Sequence, residues 1–127
     1  MKELIEIGIL REDKRIVNQE DTAVAMKSGD LPVYATPALV AYLEYTAKEL
    51  VRKYLEDNET TVGIKMDINH IKASKVGASI HSNAEVIKAE GKKITFKVEA
   101  YEGETLIGFG THERFVVDKD KFISKLG

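Results

Sequence analysis

The stretch from Thr36 to Leu55 constrains the fold more than any other, because it reads as one long helix whose broad apolar face needs a partner. Thr36 is an N-cap residue type whose side-chain oxygen accepts from an early helix N–H. Pro37 suits the first helical position, where its missing N–H costs nothing. Leu39, Leu43, Thr46, Ala47, Leu50, Val51, Tyr54 and Leu55 then recur at three- and four-residue spacing, an amphipathic stripe. Glu44 lies beside that stripe, with Val40, Ala41 and Ala47 on the neighbouring ridges. Lys48, one turn later, offers it an ordinary exposed ion pair. A cap and a surface pair account for Thr36 and Glu44 adequately, so neither makes a site alone.

Past the polar turn at Glu56, Asp57 and Asn58 the period changes from helical to two. Val62, Ile64, Met66, Ile68 and His70 are predicted to share one face, with Gly63, Lys65, Asp67 and Asn69 on the other. Ala78, Ile80, Ser82, Ala84 and Val86 alternate next, then Ile94, Phe96, Val98 and Ala100, then the segment from Thr105 to Val117. The compact connections at 89–92 and 101–104 each contain Gly, as hairpins require. The pattern predicts a four-stranded antiparallel meander. Upstream, 11–17 and 22–26 read as short extended segments joined by a turn at 18–21, and 118–126 reads as a terminal helix or tail. One helix on one sheet within a single domain spanning 1–127 is an α+β arrangement. A single helix cannot cover every surface of such a sheet, so dimerisation through an edge or a face is expected.

Composition removes several classes of function. A net charge of −2 and a pI near 5.9, with no basic face, argue against nucleic-acid binding. The absence of cysteine excludes disulfides, thiolate zinc sites and Cys nucleophiles. No apolar run is long enough for a membrane span, and the N-terminus is too charged for a secretory segment. A cytoplasmic protein is expected. Of the three imidazoles, His81 falls on a polar strand face. His112, within GTHERF, suits packing or hydrogen bonding as well as function. His70 continues an apolar face to its end, where a ring titrating near neutrality suits a pocket mouth, although a satisfied core histidine would look the same. No HxxxH or HxxE spacing is present, and alternation sends Asp67 and Asn69 away from His70, so neither metal nor cofactor is expected. Glycine-rich phosphate loops and GxSxG elbows are also missing.

The segments PVYATPALVAYLE, TTVGIKMDINH and LIGFGTHERFVVD, in this order and spacing, resemble the fluoroacetyl-CoA thioesterase-like family of hotdog-fold proteins over roughly Lys14 to Lys121. The resemblance implies a long central helix wrapped by an antiparallel sheet, and an acyl-CoA thioesterase site formed where two protomers of a homodimer meet. Matched residue by residue, it implies Thr36, Glu44 and His70 as catalytic groups. Gly63 matches a position whose backbone N–H lies near the thioester carbonyl, and Arg114 matches a substrate-binding arginine. Thioester hydrolysis needs a nucleophile, proton transfer and oxyanion stabilisation, which these groups supply.

Two mechanisms fit. Thr36 attacks with Glu44 and His70 as base and acid, or Glu44 or His70 activates water while Thr36 orients it. Arg114 suits a CoA phosphate, or a plain pair with Glu113. The segment 18–31 contains no aromatic side chain, so fluoroacetyl-CoA is not singled out, and a short or medium acyl-CoA or another thioester fits equally well. The alternative is a non-catalytic hotdog module that binds an acyl or other apolar ligand, with Thr36 as cap and Glu44 paired to Lys48. A hydratase or dehydratase on the same scaffold is a third reading.

Overall fold

The computed structural model describes residues 1–127. In chain order the elements are β1 (Leu10–Ile16), a 3-10 turn (Gln19–Asp21), α1 (Ala23–Met26), α2 (Thr36–Val51) running into a 3-10 turn (Arg52–Tyr54), β2 (Glu59–His70), β3 (Ser79–Glu90), β4 (Lys93–Glu102), β5 (Thr105–Asp118) and α3 (Lys119–Ser124). The five strands form one antiparallel sheet in the order β1-β3-β4-β5-β2. No helix is long and apolar enough to cross a membrane.

The apolar stripe read from the sequence is what α2 buries. Leu39, Leu43, Ala47 and Val51 are fully enclosed against Val86, Phe96, Val98 and Ile107 of the sheet. Such burial contributes roughly 1.5–3 kcal/mol for each large aliphatic or aromatic side chain. Thr46 lies on the same face and is tolerated because its hydroxyl bonds to Ser82 Oγ at 2.9 Å, leaving no buried polar group unpaired there. The alternations expected for β3 and β4 also hold: Ala78, Ile80, Ser82, Ala84 and Val86, then Ile94, Phe96, Val98 and Ala100, are all buried.

Four local expectations fail, each for a physical reason. The helix begins at Thr36, but Ala35 is its N-cap and Pro37 its second residue, and no side chain caps it. The Thr36 hydroxyl is therefore not consumed by the helix end. Residues 22–26 are not extended: Thr22 accepts from the Ala25 N–H and starts a single helical turn, a local bond that outcompetes sheet pairing. The strands after α2 are not one meander. β3, β4 and β5 are, whereas β2 passes over to lie beside β5 and becomes an edge. Finally, the period-two reading of β2 breaks at Ile64, where a bulge shifts the register between Gly63 and Lys65. Gly63 consequently faces the helix with Met66, Ile68 and His70, and Ile64 is half exposed.

Two glycines of β5 let β2 and α2 close on the sheet. A Cβ at Gly108 would lie 2.9 Å from Leu39 Cδ2, and one at Gly110 would collide with the backbone carbonyl of Asp67. Backbone cannot step aside as a side-chain tip can. Gly110→Ala is expected to lower the unfolding free energy by about 1–3 kcal/mol, as overpacking does, with Gly91→Ala, in open space but at positive φ, as a comparison for backbone strain alone. Denaturant melts of the variants measure both.

Candidate active site

Two clusters of functional groups lie between α2 and β2, one at each end of the strand. At the first, Thr36 in the opening turn of α2 meets His70, the last residue of β2, with Thr36 Oγ1 2.8 Å from His70 Nδ1. Tyr34 packs edge-on to the imidazole, ring centres 6.4 Å apart. His70 Nε2 is buried without a hydrogen-bond partner. Burial pushes the His70 imidazole below its ordinary pKa, with the backbone of Lys72 opposing that shift. The ring is thus a neutral base near pH 7, and with Nδ1 unprotonated the Thr36 hydroxyl donates to it. A cavity of about 290 Å³ opens beside the pair, lined in part by Ala23, Val33, Tyr34 and Ile71.

At the second cluster, Glu44 leans over Gly63. A Cβ on Gly63 would stand 2.9 Å from Glu44 Oε2 and 3.4 Å from both Arg114 Nη1 and His112 Cε1. A side chain there would push the carboxylate tip from its present position. Glu44 does not pair with Lys48, which turns to Glu49 at 3.5 Å; its Oε2 lies 3.8 Å from Arg114 Nη1 instead. Arg114 is not an exposed strand residue paired with Glu113. It is 6% exposed, and its Nε donates to Thr61 Oγ1 at 2.7 Å and its Nη2 to the Thr61 carbonyl at 2.9 Å. Burial lowers its pKa from the ordinary arginine value and the Glu44 charge opposes that.

Thr61 and His112 are the members of this cluster that sequence reasoning did not assign. His112 stands two residues before Arg114 on the same strand face, the one signal that pointed to it. Its ring is enclosed, with Nδ1 2.7 Å from the Lys65 carbonyl and Nε2 3.1 Å from Arg114 Nη1. His81 stays apart, beside Glu12 on β1. No group of three or more His, Asp or Glu side chains is arranged to hold a metal ion.

The structure therefore brings Thr36 and His70 together, and Glu44, Gly63 and Arg114 together, but within one chain it does not join the two sets. No hydrogen bond links Glu44 to Thr36 or His70. Eight residues of helix separate Thr36 from Glu44, roughly 12 Å, and Gly63 and His70 stand roughly 20 Å apart along β2.

The two perturbed histidines give stability a pH dependence of definite sign. His70 and His112 both have folded-state pKa values lowered chiefly by burial, so the unfolded chain binds more protons in the window just below the ordinary histidine value near 6.5. Stability is fully present above that value and is lost as pH falls through it toward the lowered ones. Denaturant melts at pH 7.5 and pH 5.5 are expected to show the loss, and His112→Gln is expected to reduce it; an unchanged difference would mean that His112 does not contribute.

Comparison with known proteins identifies the family. The family described as fluoroacetyl-CoA-specific thioesterase matches residues 17–120. The fluoroacetyl-CoA thioesterase of Streptantibioticus cattleyicolor is 33% identical over 94 residues, 74% of this chain and 68% of that protein. Among solved structures, the fluoroacetyl-CoA thioesterase FlK superposes with a TM-score of 0.93 at 26% identity, covering 98% of this chain and 96% of that one. A hot-dog-like protein from Thermanaerovibrio acidaminovorans, 19% identical, superposes at 0.86 over 94% of this chain and 89% of that one and supports the fold alone. The chain belongs to the fluoroacetyl-CoA-specific thioesterase family, thioester hydrolases built on the hotdog fold.

Proposed function

We propose that the protein hydrolyses a short-chain acyl-CoA thioester at a site completed by a second copy of the chain, with Thr36 and His70 from one protomer and Glu44 and Gly63 from the other. The observation that carries this reading is the 2.8 Å contact between the Thr36 hydroxyl and His70 Nδ1, a nucleophile and its base within hydrogen-bond reach. The hydroxyl oxygen attacks the thioester carbonyl carbon while its proton passes to Nδ1. Collapse of the tetrahedral adduct breaks the C–S bond, and the proton moves from the imidazole to the departing sulfur. CoA leaves and the acyl group stays on Thr36 as an ester. Glu44 then takes a proton from water, whose oxygen attacks the ester, and that proton passes to the Thr36 oxygen as the acid departs. The Gly63 N–H and the positive end of α2 offset the charge that builds on the carbonyl oxygen.

The free edge of β2 supports completion by a second copy. If two β2 edges pair antiparallel, the His70 end of one strand lies beside the Gly63 end of the other, about 4.8 Å away. The bulge at Ile64 keeps both residues on the helix-facing side. The partner subunit's Glu44 then overlooks the same carbonyl as Thr36. A cavity of about 290 Å³ beside Thr36 is at the small end for ligand pockets and suits a short acyl chain. In this arrangement Arg114 does not touch CoA; it holds Glu44.

Thr36→Ala, Glu44→Ala and His70→Ala are each expected to lower kcat on short acyl-CoA esters by about 10²–10⁴-fold in a free-thiol assay, without unfolding the protein. Mixing and refolding inactive His70→Ala with inactive Glu44→Ala is expected to restore about a quarter of wild-type activity, because half the dimers then carry one intact site of two. No recovery in refolded mixed dimers would place the site within a single chain. Ligand retention without hydrolysis in the wild type would favour the binding-module reading instead.

A further inference from the structure

The GTHERF segment of β5 contributes more than a strand to this site. His112 is 1% exposed and stacks on Phe96, ring centres 6.0 Å apart at 27°, so its ring has no freedom to turn. Packing alone would be met by a phenyl ring, yet both nitrogens are used. Nδ1 lies 2.7 Å from the Lys65 carbonyl, which only accepts, so Nδ1 carries the hydrogen. A neutral ring then leaves Nε2 as an acceptor, and what faces it at 3.1 Å is Nη1 of Arg114, which only donates. The tautomer is dictated from both sides.

Each contact reaches a different part of the site. Lys65 is the residue at which β2 resumes its register after the bulge that turns Gly63 toward α2. Nη1 is the Arg114 nitrogen nearest the Glu44 carboxylate, at 3.8 Å. Nε and Nη2 are tied to Thr61, so His112 is the side chain that engages the remaining arm. One ring thereby spans the bulge and the cation that faces Glu44.

We infer that His112 is a positioning residue: held as the Nδ1–H tautomer, it orients Arg114, and through it the Glu44 carboxylate, while anchoring the β2 bulge that presents Gly63. The inference rests on the thioesterase reading of the same site. His112 touches no substrate, and its effect falls on how well Glu44 is aimed rather than on how tightly acyl-CoA binds. Misplacing a reacting group by about 1 Å can cost on the order of 100-fold in rate, the scale expected here.

The two halves of the ring separate by substitution. His112→Gln places an amide oxygen near the position of Nε2 and keeps the acceptor for Arg114. His112→Asn keeps a donor for the Lys65 carbonyl and leaves Arg114 Nη1 without its acceptor. His112→Phe removes both contacts and keeps the stack on Phe96. With all variants confirmed folded by circular dichroism and denaturant melts, His112→Asn and His112→Phe are expected to lose about 10- to 100-fold in kcat with KM within about 2-fold. His112→Gln, which keeps the acceptor for Arg114 and gives up the Lys65 contact, is expected to fall between the wild type and His112→Phe. ¹⁵N-resolved NMR of the wild-type imidazoles is expected to show His112 protonated at Nδ1 and bare at Nε2. Glu44→Ala is measured alongside: if its loss of activity is absent, the thioesterase reading fails. If Glu44 is required but His112→Asn keeps wild-type kcat, or loses only KM, the positioning role is overturned. An Nε2–H tautomer overturns it whatever the activities are.

Discussion

Everything in the molecule depends on the packing of α2 across the sheet. Leu39, Leu43, Ala47 and Val51 are driven out of water against Phe96, Val98 and Ile107, and the helix has no other face able to do this. Because the apolar stripe sits over β3 and β4, the side of α2 that looks toward β2 is left to polar groups. Thr36 at the start of the helix and Glu44 two turns on both fall on that margin. The candidate site is thus a boundary of the core, close enough to apolar surface to be partly dried and still open to solvent. Desolvation of this kind holds the His70 ring neutral and ready to accept a proton.

Much of this could be read from the chain alone, and what was missed has a common cause. The helix from Thr36 was legible because its period repeats over many residues, and β3 and β4 because strict alternation leaves no other face for Ile80, Val86, Phe96 and Val98. The bulge at Ile64 was not. An isoleucine at that position continues an apolar alternation, so the pattern gives no sign that the register slips there. The slip moves Gly63 from the outer face to the cluster of Glu44, Arg114 and His112. Thr36 read as a cap because threonine commonly is one; the role is vacant here because Ala35 occupies the N-cap, and the hydroxyl turns to His70. The partner of β2 is equally invisible locally, since whether a strand pairs with its successor or crosses over is decided by the whole sheet.

Arg114 shows how an ion is accommodated in such a place. A buried cation loses several kcal/mol of hydration and is tolerated only when its donors are met. Here the Thr61 hydroxyl and carbonyl and the His112 ring meet them at 2.7–3.1 Å, and Glu44 supplies the opposite charge at longer range. The asymmetry is informative. Arg114 is bound tightly by neutral acceptors and only loosely by the carboxylate, which is 40% exposed as a side chain. A short bidentate pair would tie up both carboxylate oxygens and weaken Glu44 as a base. The observed geometry steadies the group without a short charged contact, which is what the proposed deacylation asks of it.

The division of the polar groups into two clusters follows from the same architecture. A helix and an edge strand that run alongside each other can bring side chains together at either end, but residues at opposite ends of β2 cannot meet without leaving the sheet. An antiparallel neighbour along that edge reverses the order of the ends and removes the obstacle with no change in either chain. Such a neighbour would also cover the edge, where an unpaired strand of twelve residues exposes a row of backbone donors and acceptors. In the proposed dimer, pairing the edge and completing the site are one event, so the catalytic groups would be assembled only in the oligomer and the separate chain would carry two incomplete halves.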